Sequence, residues 1–352
     1  MAGEASGETS DLPASRGNRK DSRAPAGSRS GAASTTPYAA GVEHEEVVAA
    51  ARRIEGRVRR TPVHAVAAGD DWLPGGGCLK LELVQHTGTF KARGAFNRIL
   101  SARERGELDP GVGIVVASGG NAGLANAFAA RALGVPATVF VPTTSSPVKV
   151  RRLEEYGATV VARGTEYAEA FDAATEHVTR TGAVYCHAYD QPEIVAGAGT
   201  LGLELLSQGE VDTVVVAVGG GGLMAGVATA VEGRARVVGA EPTGAPTLDR
   251  ALASGGPVDV PVSGIAADSL GARRLGRIAW EVAQRAGVRG VLVEDADILA
   301  ARQALWDRYR LVVEAGAAAA VAALTSGTYR PADDERVAVV LCGANTDPSD
   351  LR

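Results

Sequence analysis

The chain has 352 residues, of which 45% are apolar, and its net charge at neutral pH is −5. This length and apolar content allow a large core, in one large α/β unit or in two domains. The acidic balance argues against nucleic acid as a partner, and the three widely spaced cysteines argue against a disulfide framework or a zinc site. Unpaired cysteines fit a reducing cytoplasm, and no stretch has the length and apolar character of a membrane span, so we also expect a soluble protein.

Residues 1–40 are rich in Ala, Ser, Gly and Pro, and Leu12 is the only large aliphatic residue between positions 2 and 37. Such a segment cannot bury enough apolar surface to offset the entropy lost on ordering, so we predict a disordered tail. The tail also lacks the continuous apolar run of a secretory signal. Apolar residues at helical spacing over residues 42–58 predict that the folded part starts near Gly41 with a helix.

Short apolar runs and amphipathic segments then alternate along the chain. We predict strands over residues 113–117, 137–141, 159–161, 183–186, 211–218, 236–240, 290–293 and 336–341. We predict helices over residues 121–133, 147–156, 166–179, 197–208, 223–232, 271–286, 295–309 and 315–325. This alternation indicates an α/β fold in which parallel strands are covered by helices, in both halves of the chain.

The lysines are few, since the 36 basic residues include only Lys20, Lys80, Lys91 and Lys149. Lysine can form an imine and can lose its proton, whereas arginine does neither. Lys20 falls in the predicted tail, Lys80 is predicted on the exposed face of a strand, and the basic side of the helix with Lys149 is predicted to face solvent. Lys91, in Gly-Thr-Phe-Lys-Ala-Arg-Gly just inside a predicted helix start, is therefore the candidate, although an ordinary solvated lysine is the alternative.

Two glycine-containing turns follow predicted strands, where ligands collect in parallel α/β sheets. Ser118-Gly119-Gly120-Asn121-Ala122 opens a helix and could surround a carboxylate with backbone amides, or could simply cap the helix. Gly219 to Gly222 is a run of four glycines before the next helix, and it predicts a phosphate cradle. Its spacing matches neither a dinucleotide fingerprint nor a P-loop.

A third turn holds Cys342, in Cys-Gly-Ala-Asn after the last predicted strand. Cys342 is either a small buried apolar residue or, in a competing hypothesis, a nucleophile, which would need a nearby histidine that the sequence does not mark. A lysine, a phosphate loop and a carboxylate loop together suggest an aldehyde cofactor, and pyridoxal phosphate matches.

These motifs resemble those of the fold-type II pyridoxal-phosphate enzymes, in the serine/threonine dehydratase and serine racemase family. The resemblance runs from about Arg60 to Asn345 and includes the lysine motif, both glycine turns and the Cys-Gly-Ala-Asn turn. It implies two open, mostly parallel sheet domains with helices on both faces, as in the tryptophan synthase β-like fold. The implied boundaries are 41–112 with 191–352 for a large cofactor domain and 113–190 for a small substrate-loop domain.

The resemblance also implies roles for individual residues. Lys91 is the Schiff-base lysine, and the cofactor contacts are Phe90, Asn121, Gly219, Gly220, Gly221, Gly222, Leu223, Glu314 and, at the ring nitrogen, Cys342. The substrate loop is Ser118, Gly119, Gly120, Asn121 and Ala122. The implied partners are a small amino acid and further copies of the chain, as a dimer or a tetramer.

The implied reaction is β-elimination of water from a hydroxy amino acid such as L-threonine or L-serine, which yields a 2-oxo acid and ammonia. Racemisation and β-replacement are the alternatives. Racemases of the family carry a serine where this chain has Gly119, and this difference favours elimination. Ala122 replaces a common histidine, and Thr247 replaces the aspartate of a divalent-cation site of which Glu241 and Ala245 match the other positions, so a metal is doubtful.

Overall fold

The computed structural model describes residues 41–351, and the predicted disordered tail over residues 1–40 lies outside them. In this part the chain alternates strands and helices. The strands are β1 (Val63–Val66), β2 (Gly77–Lys80), β3 (Ile114–Ala117), β4 (Ala137–Val141), β5 (Thr159–Ala162), β6 (Val184–Tyr185), β7 (Thr213–Ala217), β8 (Arg236–Pro242), β9 (Arg289–Val293) and β10 (Val337–Val340).

The helices in the same part of the chain follow the predicted order, with some additions. They are α1 (His44–Ile54), α2 (Lys91–Glu104), α3 (Asn121–Ala132), α4 (Pro147–Glu155), α5 (Tyr167–Thr181), α6 (Pro192–Gln208), α7 (Gly222–Val231), α8 (Thr247–Ser254), α9 (Ala267–Leu270), α10 (Arg277–Arg285), α11 (Asp295–Tyr309) and α12 (Ala315–Thr325). No helix of the described residues is both long and apolar enough to cross a membrane.

The strands form two sheets, which confirms the predicted α/β fold with mostly parallel sheets. The larger sheet has the order β1-β2-β10-β7-β8-β9, and all its neighbours are parallel except β1 with β2. The smaller sheet has the order β5-β4-β3-β6 and is fully parallel. The turns that follow parallel strands therefore meet at one edge of each sheet.

Each sheet has its own apolar core. All residues of β7 and β10 are buried, as expected for central parallel strands that are covered on both faces. The core of the smaller sheet includes Phe96 and Ile99 of α2, although the predicted boundaries place α2 in the large domain. Those domain boundaries remain a prediction.

One predicted helix is interrupted. The segment over residues 271–286 contains only α10, which begins at Arg277, and α9 precedes it. Gly276 caps α10, and a Cβ at Gly276 would lie 2.7 Å from a carboxylate oxygen of Asp190. That carboxylate accepts hydrogen bonds from the amides of Arg277 and Ile278, so it fixes the start of α10 from a distant part of the chain.

The predicted exposure of Lys80 is wrong, because its side chain is fully buried. Lys80 Nζ donates to the carboxylate of Glu204 at 2.7 Å, to the carbonyl oxygen of Thr61 at 2.8 Å and to the side chain of Gln208 at 2.8 Å. Glu204 and Gln208 belong to α6, which covers this face of the strand. Burial lowers the pKa of Lys80, and the ion pair with Glu204 opposes that shift.

Candidate active site

A cavity of about 810 Å³ lies at the carboxyl ends of β3, β7 and β10. Residues from both sheets line it, including Ala117 at the end of β3 and Ala217 at the end of β7. Every residue predicted to contact cofactor or substrate lines this cavity: Phe90, Lys91, Ser118, Gly119, Gly120, Asn121, Ala122, Gly219, Gly220, Gly221, Gly222, Leu223, Glu314 and Cys342. The structure thus brings these residues together, and the role of each remains a prediction.

Lys91 is the first residue of α2, as predicted from its helix-start context. Its Nζ lies in the cavity, 3.1 Å from the carbonyl oxygen of Ala188 and 4.9 Å from the centre of the Phe90 ring. Burial lowers the pKa of Lys91, while Cys342 and Glu314 oppose the shift. A lysine in this setting has an enlarged neutral fraction, which is the form that acts as a nucleophile or base.

The turn before Lys91 is held by the turn after β10. The amide of Phe90 donates to the carbonyl oxygen of Cys342 at 3.1 Å, and the amide of Ala344 donates to that of Gly88 at 2.9 Å. Thr87 has a φ of +62°, which is unfavourable for a β-branched residue. These contacts from a remote segment offset that strain and fix where α2 begins.

The substrate-loop candidate begins directly after β3. The amide of Gly120 donates to Ser118 Oγ at 3.3 Å, and α3 starts at the next residue, Asn121. A Cβ at Gly123 would lie 1.9 Å from the carbonyl oxygen of Ser118, so only glycine fits there. The amides in the first turn of a helix lack intrahelical acceptors, so the start of α3 can bind an anion such as a carboxylate.

The glycine loop connects β7 to α7. A Cβ at Gly220 would lie 2.3 Å from the ring of Tyr189, and Gly221 has a φ of +84°. The amide of Gly276 donates to the carbonyl oxygen of Gly220 at 3.0 Å. Close packing and a positive φ therefore require glycine here, and the first-turn amides of α7 are available for a phosphate.

Asn121 belongs to a partly buried chain of hydrogen bonds. Its Nδ2 donates to both carboxylate oxygens of Glu314, at 2.9 and 3.0 Å. Asn345 Nδ2 donates to Asn121 Oδ1 at 2.7 Å and to the carbonyl oxygen of Thr87 at 2.8 Å. Burial raises the pKa of Glu314, while Asn121 and Lys91 oppose the shift. Asn345 matched a family motif, but the sequence assigned it no site role.

Cys342 is buried at the cavity wall, and burial raises the pKa of its thiol. The thiol therefore stays neutral, which does not favour a cysteine nucleophile. His187 also lines the cavity, and its Nδ1 accepts hydrogen bonds from the amides of Tyr189 and Asp190 at 3.1 and 2.8 Å. Burial lowers the pKa of His187, so it is a neutral ring. Nothing in the local sequence marks a histidine at the cavity.

Lys149 has a closer link to the site than the sequence indicates. Its side chain is partly exposed, but it lines the cavity and forms an ion pair with Asp268. Lys149 belongs to α4 and Asp268 to α9, so the pair joins elements that pack near different sheets. Their positions 119 residues apart explain why the pairing could not be predicted.

The weak metal candidates Glu241 and Ala245 are buried outside the lining of the cavity. The carboxylate of Glu241 accepts hydrogen bonds from the amides of Leu248 and Asp249, at 2.7 and 2.9 Å, and so caps α8. Burial raises the pKa of Glu241 to about 7. Within residues 41–351 there is no group of three His, Cys, Asp or Glu side chains that could hold a metal ion.

The model of the family described as pyridoxal-phosphate dependent enzymes matches residues 54–343. The chain belongs to this family. The phenylserine dehydratase of Ralstonia pickettii is 39% identical over 302 residues, which cover 84% of this chain and 90% of that protein. The family match therefore includes both sheets and the whole cavity lining.

Solved structures of similar proteins have the same fold. The T.th. threonine deaminase has a TM-score of 0.78 and 35% identity, with 87% of this chain and 99% of that chain covered. Maize serine racemase has a TM-score of 0.81 and 29% identity, with 87% of this chain and 94% of that chain covered. Proteins named for elimination and for racemisation thus share this architecture.

The residues of the cavity fit pyridoxal phosphate. The cofactor carries an aldehyde and a phosphate, and the cavity offers a buried amine at Lys91 and a glycine-lined helix start at Gly222. The volume of about 810 Å³ lies in the range of pockets that bind cofactors and small ligands. The family and the geometry therefore agree on the cofactor.

Proposed function

We propose that this protein is an ammonia-lyase that removes the β-hydroxyl and the α-amino group of a hydroxy amino acid such as L-threonine or L-serine. The products are a 2-oxo acid and ammonia. One observation carries the proposal: a single cavity joins the Lys91 amine, the substrate loop at Ser118 to Ala122 and the glycine loop at Gly219 to Gly222. The names of the relatives support the same class of reaction.

Lys91 is the proposed base that takes the α-proton. Its amine is buried and its pKa is lowered from the usual value for lysine, so the neutral form that accepts a proton is more populated than in a solvated lysine. The backbone contacts of Phe90 and Gly88 fix the start of α2 and therefore the position of the amine. When bound, pyridoxal phosphate supplies an electron sink for the negative charge that develops at the α-carbon.

The substrate loop is proposed to hold the α-carboxylate of the substrate. The first-turn amides of α3 supply the donors, and their fixed position would direct the α-C–H bond toward Lys91. Loss of the β-hydroxyl with a proton leaves an unsaturated amine, which water hydrolyses to the 2-oxo acid and ammonia. The neutral Cys342 thiol is proposed to face the ring nitrogen, where it does not enforce protonation.

Racemisation is the second candidate function, and the position of Ser145 at the cavity is the observation that supports it. It needs a proton donor on the opposite face of the α-carbon, and Gly119 provides no side chain there. Ser118 Oγ accepts a hydrogen bond from the amide of Gly120 and keeps its own hydroxyl hydrogen for donation. Ser145 Oγ lies 3.7 Å from the place where a Cβ of residue 119 would be, and it lines the cavity.

The test combines substrates and a variant. Purified holoenzyme is incubated with L-serine, L-threonine, their D-isomers and threo-phenylserine, and 2-oxo acid, ammonia and chirality are assayed. Release of oxo acid and ammonia supports elimination, and inversion without oxo acid supports racemisation. If neither oxo acid nor inversion is detected, the result points to β-replacement. Lys91→Ala should lower turnover at least ~1000-fold and abolish the absorbance of lysine-bound cofactor, whereas Lys20→Ala should change neither. Retained turnover in Lys91→Ala would refute the assigned base.

We also propose that the protein forms a dimer or tetramer in the cytoplasm and takes a small amino acid as its substrate. Membership of the family supports these proposals. Sedimentation equilibrium of the purified holoenzyme measures the oligomeric state directly, and a monomer would contradict the first of them.

A further inference from the structure

The carbonyl oxygen of Gly219, the first residue of the glycine loop, contacts a buried hydroxyl behind the cavity. Thr247 Oγ1 lies 2.5 Å from that oxygen and 2.8 Å from Glu241 Oε1. Thr247 and Glu241 have no exposed surface, and neither lines the cavity. The glycine loop is therefore held from the side that faces away from any ligand.

Both ends of this contact are fixed by the larger sheet. Gly219 follows β7, and Glu241 lies in the adjacent strand β8, where Ala217 pairs with Ala240. The amides of Leu248 and Asp249 donate to the Glu241 carboxylate and prevent it from turning away. Gly219, Thr247 and Glu241 thus form one buried unit, which we call the loop support.

The loop support determines which way a peptide group points. In a planar trans peptide the C=O and the N–H point in opposite directions. The carbonyl of Gly219 shares its peptide group with the amide of Gly220. When Thr247 holds that carbonyl behind the loop, the amide of Gly220 is turned to the opposite side, where the cavity lies. Gly276 has the same effect on the next peptide, because its amide holds the carbonyl of Gly220.

We propose that Thr247 is a positioning residue that sets the affinity of the glycine loop for the phosphate group of the cofactor. The inference rests on the proposed binding of that phosphate to Gly219 to Gly222. Without the hydroxyl, the carbonyl of Gly219 loses its buried donor, and the peptide is free to rotate its amide away from the phosphate.

The count of hydrogens in the loop support is consistent with this role. A threonine hydroxyl has one hydrogen, and the Gly219 carbonyl can only accept, so the hydrogen points to Gly219. Gly219 is the nearer of the two partners, at 2.5 Å against 2.8 Å for Glu241, which ties the same hydroxyl to β8.

The experiment compares two probes on cofactor-free protein: pyridoxal phosphate, and pyridoxal, which lacks the phosphate. Thr247→Val removes the hydroxyl with little change of volume, and Thr247→Ser keeps it. We expect Thr247→Val to weaken pyridoxal phosphate binding by about tenfold, the effect of one lost hydrogen bond of this type, with pyridoxal binding unchanged. Thr247→Ser should bind both probes like wild type.

Thr229→Val is the matched control, because Thr229 is also a buried threonine that donates to a backbone carbonyl, that of Val42, away from the loop. It should leave both affinities unchanged. An unchanged affinity of Thr247→Val for pyridoxal phosphate, an equal loss for both probes, or a Thr247→Ser protein as weak as Thr247→Val would overturn the inference. If Thr247→Val does not fold, Thr247→Ala provides the same comparison.

The same titrations separate this inference from the proposed function. If wild-type protein binds pyridoxal as tightly as pyridoxal phosphate, the glycine loop does not bind the phosphate. The proposed cofactor site would then be wrong as well. Wild-type protein that prefers the phosphate, together with an unaffected Thr247→Val, would overturn the role of Thr247 alone.

Discussion

Asn345 determines which way the Asn121 amide faces. The carbonyl oxygen of Thr87 can only accept a hydrogen bond, so Asn345 must turn its Nδ2 toward it. The second hydrogen of Asn345 Nδ2 then points to Asn121, which must present its Oδ1 as the acceptor. Asn121 Nδ2 is thereby turned toward Glu314. The orientation of one amide at the cavity is thus fixed by a residue 224 positions later in the chain.

Asn345→Asp should therefore impair the reaction. An aspartate cannot donate to Thr87 or to Asn121, and two partly buried acceptors lose their partner. We expect kcat/KM to fall by roughly 10- to 100-fold, which corresponds to the cost of unpaired, partly buried groups. Steady-state kinetics on the holoenzyme provide the measurement, with the cofactor absorbance spectrum as a second reading.

Arg152→Gln is the control for this variant. Arg152 donates to Asn345 Oδ1 at 3.0 Å from an exposed position, so it touches the same residue without orienting the Asn121 amide. We expect its kcat/KM to stay within about threefold of wild type. If Asn345→Asp shows the same small change, the orienting role of Asn345 is wrong.

Helices α6 and α7 approach each other through glycine. A Cβ at Gly226 would lie 2.3 Å from the carbonyl oxygen of Val195 and 2.5 Å from the amide nitrogen of Gly199. These are backbone atoms of the facing helix, so they cannot move aside as a flexible side chain would. This contact between α6 and α7 matters for function for two reasons. Helix α7 starts with the last glycine of the glycine loop, and α6 carries Glu204, which binds Arg93.

Gly226→Ala should destabilise the protein by about 1–3 kcal/mol, the range for an overpacked buried contact. Urea unfolding of the holoenzyme and of the cofactor-free protein measures this change. Gly256→Ala is the control, since a Cβ at Gly256 would meet nothing within 4 Å, and its free energy of unfolding should stay within ~0.5 kcal/mol of wild type. Equal changes in the free energy of unfolding for the two substitutions would contradict the close contact of α6 and α7 at Gly226.

Patterns within one element were enough to predict most of the elements and the main candidates at the cavity. Val214 to Val216 indicated a buried strand and Lys91 a helix start, because both signals are local. Features that depend on distant partners could not be predicted this way. Lys80 was predicted to be exposed although Glu204 of α6 covers it, and α10 starts where Asp190 binds its first amides. The sequence shows each partner but not their proximity.

The stability of the whole molecule should depend on pH through Lys91. Its pKa in the folded protein is lowered by burial, whereas in the unfolded chain it is near 10.5. Between these two pKa values the unfolded chain binds more protons, so the free energy of unfolding rises with pH. Below the folded pKa both states are charged, and the cost of burying the charge is fully present. Cys342 and Glu314 face the amine and reduce that cost in part.

Lys91→Met removes this cost at every pH. We expect the cofactor-free variant to be more stable than cofactor-free wild type at neutral pH, and the difference to shrink toward about pH 9.5. Each unit by which the folded pKa is lowered contributes about 1.4 kcal/mol. Urea unfolding of both proteins at the two pH values tests this, because other titrating groups are largely shared. If the difference in free energy of unfolding between the two proteins does not change with pH, the Lys91 amine does not take up a proton on unfolding.

Helix α2 takes part in both halves of the molecule. Phe96 and Ile99 pack into the core of the smaller sheet, while Arg93 binds Glu82, next to the larger sheet, at 2.7 and 2.8 Å. Lys91, at the start of this helix, is in place only when both sheets have formed. A chain with one sheet folded thus offers an incomplete site, and the fraction of molecules that bind added cofactor at saturation reports the fraction that has folded completely. Cofactor absorbance per chain is in this sense a measure of the quality of a preparation.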